Sequence, residues 1–174
     1  AADSASPKAA ERLKQTEICQ PAMLAADVAM MRLLQTHGIK PDFVVGHSLG
    51  EYAACVAAGV MTFADALYAV SARGREMAGV KVDDNGKMAT VATNADRVAE
   101  ILEEIDGYVI AANKNCNSQT VIAGNSDAVD RAVTKFGELK LDARHIPVSH
   151  AFHSAIVAPA AKPLGRVLSA LDLH

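Results

Sequence analysis

Apolar residues recur at helical spacing over about Glu17–His37, and this pattern predicts a helix that ends at Gly38. Its buried stripe is expected to consist of Leu24, Val28, Met31 and Leu34. The short run Phe43–Val45 is rich in β-forming residues and predicts a buried strand. A further helix is expected over Leu49–Ala58, since Gly59 is a typical residue for a helix C-cap.

Capping residues open the next predicted helix. Thr62 and Asp65 resemble a capping box, and the helical pattern then runs to about Met77. The apolar stripe of this helix holds Ala66, Ala69, Val70, Arg73 and Met77, whereas Arg75 points elsewhere. Because an unpaired buried charge is costly, Arg73 is expected either to reach solvent or to pair with a structural carboxylate.

The pattern changes after the turn residues Asp83–Gly86, which mark a lobe boundary. Six segments follow in the order strand, helix, strand, strand, helix, strand. They are Lys87–Thr93, Ala95–Ile105, Tyr108–Ala112, Thr120–Ala123, Ser126–Phe136 and Asp142–Val148. This order is ferredoxin-like and predicts a small α/β lobe inserted into a larger one.

Composition excludes several classes of protein. The 174 residues are 51% hydrophobic, which indicates a folded protein, and the net charge of −3 disfavours a nucleic-acid partner. We find no apolar run of membrane-spanning length and no leader, so no membrane partner is expected. The dispersed cysteines Cys19, Cys55 and Cys116 suggest reduced thiols in the cytoplasm and no metal site. Residues 1–15 are expected to be a loosely held start.

The Gly-x-Ser-x-Gly sequence at residues 46–50 lies between a predicted strand and a predicted helix. Such a strand–turn–helix holds the central serine, here Ser48, in a strained conformation at its apex. Small residues at Gly46 and Gly50 would let the strand and the helix approach closely. The backbone N–H of Leu49, at the helix start, would face an oxyanion formed when Ser48 attacks a carbonyl. The alternative is an ordinary turn without chemistry.

Two histidines, His150 and His153, follow the last predicted strand within residues 148–154. Either is suited to act as the base for a serine nucleophile, and either can be a satisfied structural histidine. A metal pair is disfavoured because no Asp, Glu or Cys ligand is nearby. Local spacing does not choose between the two histidines.

Three features coincide in this chain: GHSLGEYAA at residues 46–54, Arg73 within residues 72–77, and SHAFHS at residues 149–154. Together they resemble the malonyl-CoA:acyl-carrier-protein transacylases and the acyltransferase domains of type I polyketide and fatty-acid synthases. The resemblance runs from about Thr16 to the end and includes Asn113-x-Asn115. It implies an α/β-hydrolase-like lobe, residues 1–85 and 149–174, with a ferredoxin-like lobe, residues 86–148, inserted into it.

The resemblance also implies residue roles. Ser48 would take the acyl group as an ester, His153 would be the base, and Leu49 would supply an oxyanion donor. Arg73 would bind the free carboxylate of the malonyl unit as a bidentate pair. The remaining substrate-binding candidates are His47, Asn113, His150 and Phe152. HAFH resembles the pattern associated with malonyl rather than methylmalonyl selection, because Phe152 would crowd an α-methyl group.

Partners are implied in the same way. The acyl donor would be malonyl-CoA or another acyl-CoA, and the acceptor would be the phosphopantetheine thiol of an acyl carrier protein. No cofactor is expected to be bound, and other domains of a multifunctional synthase are expected as neighbours.

The chain departs from the family in two places. The Gly-Gln-Gly-type loop that supplies a second oxyanion donor is missing, and so is the segment that orients the base, which suggests an interior fragment. Gln20 has no assigned place. Competing interpretations are a serine esterase or thioesterase, with Asp130 or Asp142 orienting His153, and a non-catalytic fragment of a large synthase.

Overall fold

The computed structural model describes residues 7–174, which form seven helices, four strands and a 3-10 helix. In chain order these are α1 (Pro7–Leu13), α2 (Thr16–Thr36), α3 (Gly50–Ala58), α4 (Phe63–Ala78), β1 (Lys87–Val91), α5 (Ala95–Leu102), β2 (Val109–Cys116), β3 (Gln119–Gly124), α6 (Ser126–Glu138), β4 (Ala143–Ile146), the 3-10 helix (Ala155–Ala160) and α7 (Ala161–Leu168). Of the predicted loose start, residues 1–6 lie outside the described residues, and Pro7–Leu13 forms an exposed helix.

The chain divides into two compact units. The helical unit comprises Ala1–Gly79 with Ala160–His174, and the sheet unit comprises Val80–Pro159. The sheet unit therefore includes residues 149–159, which the sequence analysis assigned to the larger lobe. The reason is local: the backbone N–H of Ala151 donates to the carbonyl of Asn85 at 2.8 Å, and the Ala151 side chain is buried on the sheet. The division into lobes of residues 1–85 with 149–174 and residues 86–148 stays a prediction.

The helical unit has its core between α2, α3 and α4. Its buried members are Leu24, Val28, Met61, Ala66 and Val70. The predicted helices are confirmed, and Thr62 caps α4 by accepting a hydrogen bond from the backbone N–H of Asp65 at 3.1 Å. One stripe position was wrong, since Leu34 is about half exposed. It lies in the last turn of α2, beyond the part of that helix that packs against the core.

The predicted strand over Phe43–Val45 is wrong. The segment carries no strand, and the side chains of Phe43 and Val45 are each 95% exposed. A strand requires a neighbour that completes its backbone hydrogen bonds, and no segment of residues 7–174 pairs with this one. The predicted α/β-hydrolase-like sheet is consequently not observed, and the described part of the helical unit contains helices only.

The sheet unit confirms the predicted β-α-β-β-α-β order. Its four strands are antiparallel neighbours in the order β2-β3-β1-β4. This arrangement, with β1 and β3 at the centre, is the split β-α-β topology of ferredoxin-like lobes. The chain as described is thus an α/β protein with one small sheet.

The two faces of this sheet are buried in different ways. One face packs against α5 and α6 around Ile122 and Phe136, which are both fully buried. The other face, formed by Met88, Val121 and Ala123, is covered by residues 146–156, which include the start of the 3-10 helix but no α-helix. The sheet therefore serves as the platform on which the His-containing segment is built.

Candidate active site

Ser48 lies at the apex of a tight turn between a segment without regular secondary structure and α3. Its φ angle is +56°, so the predicted strained conformation is confirmed. Among residues 7–174 only two other non-glycine residues, Lys140 and His153, have a positive φ. Backbone strain of this kind costs about 1–3 kcal/mol and is concentrated at functional sites. Two of the three strained positions are thus the residues that sequence analysis assigned as nucleophile and base.

The two glycines of the motif differ in what they do. A Cβ atom at Gly46 would collide with backbone atoms of Gly50 and Glu51, so only glycine allows the turn to close on the start of α3. A Cβ atom at Gly50 would meet nothing within 4 Å. The expected role of a small residue is therefore confirmed for position 46 and wrong for position 50.

The backbone N–H of Leu49 is available at the start of α3. The N–H groups of Gly50, Glu51 and Tyr52 donate to the carbonyls three residues before them, at 3.0–3.2 Å. The Leu49 N–H forms no backbone hydrogen bond in the described part of the chain, while its side chain packs against the helical core. A helix N-terminus carries partial positive charge, which favours an anion near this N–H.

Apolar residues surround the turn. Ser48 and the neighbouring His47, which is exposed, lie in the wall of an open groove of about 700 Å³. Met23, Met31 and Phe43 contribute apolar side chains to the same groove. The nucleophile candidate is therefore accessible to a substrate from solvent.

Arg73 is half-buried on α4, as its place on the apolar stripe predicts. Its Nη1 donates to the Oε1 atom of Gln20 at 2.7 Å, and it forms no ion pair in the part of the chain that the structure describes. Burial lowers the pKa of Arg73, and the nearby Tyr52 and Glu51 oppose that shift. The expected structural carboxylate is absent from these contacts, so the protein partner of Arg73 is a neutral amide.

Sequence reasoning left Gln20 without a place, yet it is 4% exposed and contacts a predicted site residue. A signal was present: Gln20, Leu24 and Val28 are spaced four residues apart on α2. Gln20 therefore occupies the apolar stripe one turn before Leu24. A polar residue on a buried stripe requires a hydrogen-bond partner, but the spacing does not say which residue supplies it.

Local hydrogen bonds fix the segment that carries the histidines. The hydroxyl of Ser154 donates to the carbonyl of Ala151, and the backbone N–H of Ala155 donates to the Tyr108 hydroxyl at 2.7 Å. His153 lies between these contacts with φ = +57° and an exposed side chain. The segment thus presents His153 outward from a held backbone.

The neighbouring His150 has a different environment. Its side chain is buried, and its Nδ1 lies 3.0 Å from the hydroxyl oxygen of Ser149. Its ring centroid is 6.1 Å from that of Phe152, which packs against the sheet. Burial separates the two histidines that spacing could not, since a base that serves a substrate must be accessible and His153 is the exposed one.

Asn113 belongs to the same sheet face. It pairs with Val121 across β2 and β3, next to a bulge between Ala111 and Asn113. Directly paired residues place their side chains on one face, so half-buried Asn113 shares the face of Val121 and Phe152. The candidates therefore form two groups: His47, Ser48, Leu49 and Arg73 in the helical unit, and Asn113, His150, Phe152 and His153 in the sheet unit.

A family model for the acyl transferase domain matches residues 6–172. The chain belongs to the acyl transferase domain family. This family assignment agrees with the element order of the sheet unit and with the Ser48 turn.

Proteins similar to this chain include a transacylase and a polyketide synthase. It is 39% identical over 170 residues to a malonyl CoA-acyl carrier protein transacylase of Bacillus subtilis, covering 94% of this chain and 53% of that protein. It is 38% identical over 160 residues to the polyketide synthase GfsA of Streptomyces halstedii, covering 92% of this chain and 2% of that protein.

A solved complex is also similar to this chain. It joins a type II polyketide-synthase acyl carrier protein to its malonyl-transacylase, with 35% identity and a TM-score of 0.86. The match covers 95% of this chain and 55% of that one. The chain spans about half the length of the curated transacylases it matches.

The two carboxylates considered for a Ser-His-acid triad contact other side chains in this chain. Asp130 binds Lys87 at 2.6 Å and His145 at 3.3 Å, and Asp142 binds Arg144 at 3.0 Å. These contacts disfavour the esterase interpretation, in which one of the two carboxylates would orient His153.

Within residues 7–174 no helix combines the length and apolar character that a membrane span requires. In the same range no three His, Cys, Asp or Glu side chains cluster as a metal site would require.

Proposed function

We propose that this chain carries the nucleophile, the base and the carboxylate-binding residue of an acyltransferase that moves a malonyl group from CoA to an acyl carrier protein. The observation that carries the proposal is the turn at Ser48, whose left-handed backbone is followed by the unbonded N–H of Leu49. We also propose that residues 1–85 and 149–174 belong to an α/β-hydrolase-like lobe. The ferredoxin-like lobe, residues 86–148, is inserted into that lobe.

In the first half-reaction the Ser48 hydroxyl attacks the thioester carbonyl of malonyl-CoA, and His153 takes the hydroxyl proton. The carbonyl oxygen becomes an oxyanion, which the Leu49 N–H stabilises by a hydrogen bond. Collapse of this intermediate breaks the C–S bond. The CoA sulfur takes the proton from His153, and the malonyl group remains as an ester on Ser48.

In the second half-reaction the phosphopantetheine thiol of the carrier protein gives its proton to His153 and attacks the seryl ester. The C–O bond to Ser48 then breaks, and Ser48 recovers a proton from His153. Atoms and charges balance over the two steps, and the acyl group ends on the carrier thiol. No bound cofactor takes part, because CoA and phosphopantetheine are the donor and the carrier of the group.

Arg73 selects the malonyl group by pairing with its free carboxylate. A guanidinium matches a carboxylate with two parallel hydrogen bonds, and partial burial strengthens that pairing relative to water. We propose His47, Asn113, His150 and Phe152 as further substrate contacts, with Phe152 limiting space beside the α-carbon. One methyl group in such a pocket changes selectivity by only about 1–3 kcal/mol.

The proposed partners follow from the relatives. One similar transacylase was solved together with its acyl carrier protein, and another similar sequence is a short part of a polyketide synthase. An acyl carrier protein, an acyl-CoA and neighbouring synthase domains are therefore the partners we propose, in the cytoplasm.

The two histidines supply the test of this mechanism. We expect His153→Ala to slow malonyl loading by about 100-fold or more, which is the usual contribution of a general base. His150→Ala is the matched control and should slow loading much less. Loading is measured as CoA release in single-turnover experiments, with folding checked by circular dichroism. Equal losses in two folded variants would contradict the assignment of His153.

A further inference from the structure

We propose that Gln20 is a positioning residue that holds the Arg73 guanidinium in place as an available cation. This inference rests on the proposed function, in which Arg73 binds the substrate carboxylate. Its structural basis is the hydrogen bond of 2.7 Å from Arg73 Nη1 to Gln20 Oε1. Nothing else in the described chain accepts a side-chain hydrogen bond from Arg73.

The orientation of the Gln20 amide is fixed by its other contacts. Its Nε2 donates to the Thr16 hydroxyl oxygen at 2.7 Å and lies 3.5 Å from the sulfur of Met77. Gln20, Thr16 and Met77 are all buried. A guanidinium has only hydrogen-bond donors. If the Gln20 amide were rotated by 180°, its NH₂ group would face the N–H groups of Arg73, and donor would meet donor. The carbonyl oxygen must therefore face Arg73.

The helices that carry the pair approach each other closely at Gly74, the residue after Arg73. A Cβ atom at Gly74 would lie 2.8 Å from the Cα of Glu17 and 3.0 Å from the carbonyl oxygen of Thr16. Real Cβ atoms do not approach backbone so closely, so glycine is needed where α4 crosses the start of α2. This crossing brings a side chain of α2 within hydrogen-bond reach of Arg73.

The neutrality of Gln20 is the functional point. One of the five N–H donors of Arg73 binds this neutral amide, so Gln20 itself does not compensate the positive charge and leaves other donors available. Partial burial lowers the pKa of the guanidinium, so the site is stabilised when an anion arrives. A glutamate at position 20 would fix the same geometry, but it would neutralise Arg73 and repel an anionic substrate.

The test compares Gln20→Glu with Gln35→Glu, which makes the same change at an exposed position of the same helix. The probe is free malonate, which needs no turnover, and the measurement is the rise in Tm that it produces. The second measurement is the ratio of malonyl-CoA to acetyl-CoA loading rates. We expect the unaltered chain and Gln35→Glu to give the same malonate-dependent rise in Tm and the same ratio.

We expect Gln20→Glu to lose the malonate-dependent rise in Tm and to lower the loading ratio at least tenfold, with acetyl loading retained. Gln20→Met keeps the side-chain volume but removes the hydrogen-bond acceptor. It should reduce the malonate-dependent rise in Tm and the loading ratio, but by less than Gln20→Glu does. If Gln20→Glu does not fold, Gln20→Met carries the test, and an unaltered malonate response in that variant would overturn the proposal.

An unchanged malonate response and loading ratio in folded Gln20→Glu would also overturn it. A failure of the proposed acyltransferase function would give a result different from a failure of the Gln20 proposal. In that case the unaltered chain fails to load malonyl from malonyl-CoA, while the malonate response still reports whether Gln20 positions Arg73.

Discussion

Two short apolar runs of this chain have similar β-forming sequences and different structures. Strand β3, Gln119–Gly124, is hydrogen-bonded to a neighbour on each side and is almost wholly buried. The run Phe43–Val45 has no paired neighbour within residues 7–174, and its first and last side chains are 95% exposed. β-propensity describes how well a residue fits a pleated, half-buried surface. A strand therefore forms only where the rest of the chain supplies that surface.

The two proposed catalytic residues, Ser48 and His153, are held in place by the same two kinds of surroundings. His153 is presented by a segment packed on a complete sheet face. Ser48 follows an exposed segment without regular secondary structure, and its geometry depends on the turn itself and on α3. The sheet should accordingly hold His153 through burial, whereas the turn should hold Ser48 through a few backbone contacts.

The largest expected effect comes from a matched pair of phenylalanines. Phe136 is fully buried under the sheet, and Phe43 is exposed. We expect Phe136→Ala to lower the free energy of unfolding by about 3–5 kcal/mol, because it removes a buried ring and leaves a cavity. Phe43→Ala should change it by less than about 0.5 kcal/mol. Urea unfolding followed by circular dichroism measures both, and similar losses would contradict the contrast.

An intermediate effect is expected at the turn glycines. Gly46→Ala forces a Cβ atom into the backbone of the α3 start and should cost about 1–3 kcal/mol, as overpacking does. Gly50→Ala meets no atom and replaces glycine in a helix, so it should be neutral or stabilising. Labelling of Ser48 by a fluorophosphonate, followed over time, should slow in the first variant only. Equal labelling rates in both variants would show that the turn tolerates the Cβ atom.

The smallest effect concerns a polar contact that ties the sheet unit together. The Asp84 carboxylate accepts hydrogen bonds from the N–H and hydroxyl of Ser126 at 2.7 and 2.6 Å and from the N–H of Gly86 at 2.8 Å. These bonds lower the pKa of Asp84. The ionised form is therefore favoured on folding. We expect Asp84→Asn to cost about 1 kcal/mol near neutral pH.

The pH dependence has a definite sign. Because the folded pKa of Asp84 is lowered, its stabilisation is present above the ordinary carboxyl value of about 3.9. It is lost as the pH falls through the lowered folded value. The difference in unfolding free energy between the unaltered chain and Asp84→Asn should thus shrink in acid, while exposed Asp83→Asn should show little difference at either pH. A difference that grows on acidification would contradict this assignment.

Much of the fold follows from the sequence because its signals are local. Helical spacing, the Thr62 cap and glycine C-caps predict α2, α3 and α4, and the predicted segments also match all four strands of the sheet unit. The failures concern long-range surroundings. Phe43–Val45 carries a strand-like sequence but pairs with no strand of residues 7–174, and the predicted stripe position Leu34 lies beyond the part of α2 that packs against the core.

The candidate site shows the same limit. The nucleophile turn could be predicted from Gly46 and Ser48, because the strain is encoded within five residues. The partner of Arg73 could not, since Gln20 is 53 residues away in sequence and meets it only where α2 and α4 cross. Spacing alone also left His150 and His153 equivalent, and their different burial became apparent only with the sheet in place.

The most direct test of the central claim is the fate of Ser48 after incubation with malonyl-CoA. Intact-mass measurement should show one malonyl group on the chain, peptide mapping should place it on Ser48, and a phosphopantetheine thiol on a carrier protein should remove it as a thioester. Ser48→Ala should show no adduct. Release of CoA without any adduct, or an adduct that water removes as fast as the thiol does, would contradict an acyltransferase and indicate a hydrolase.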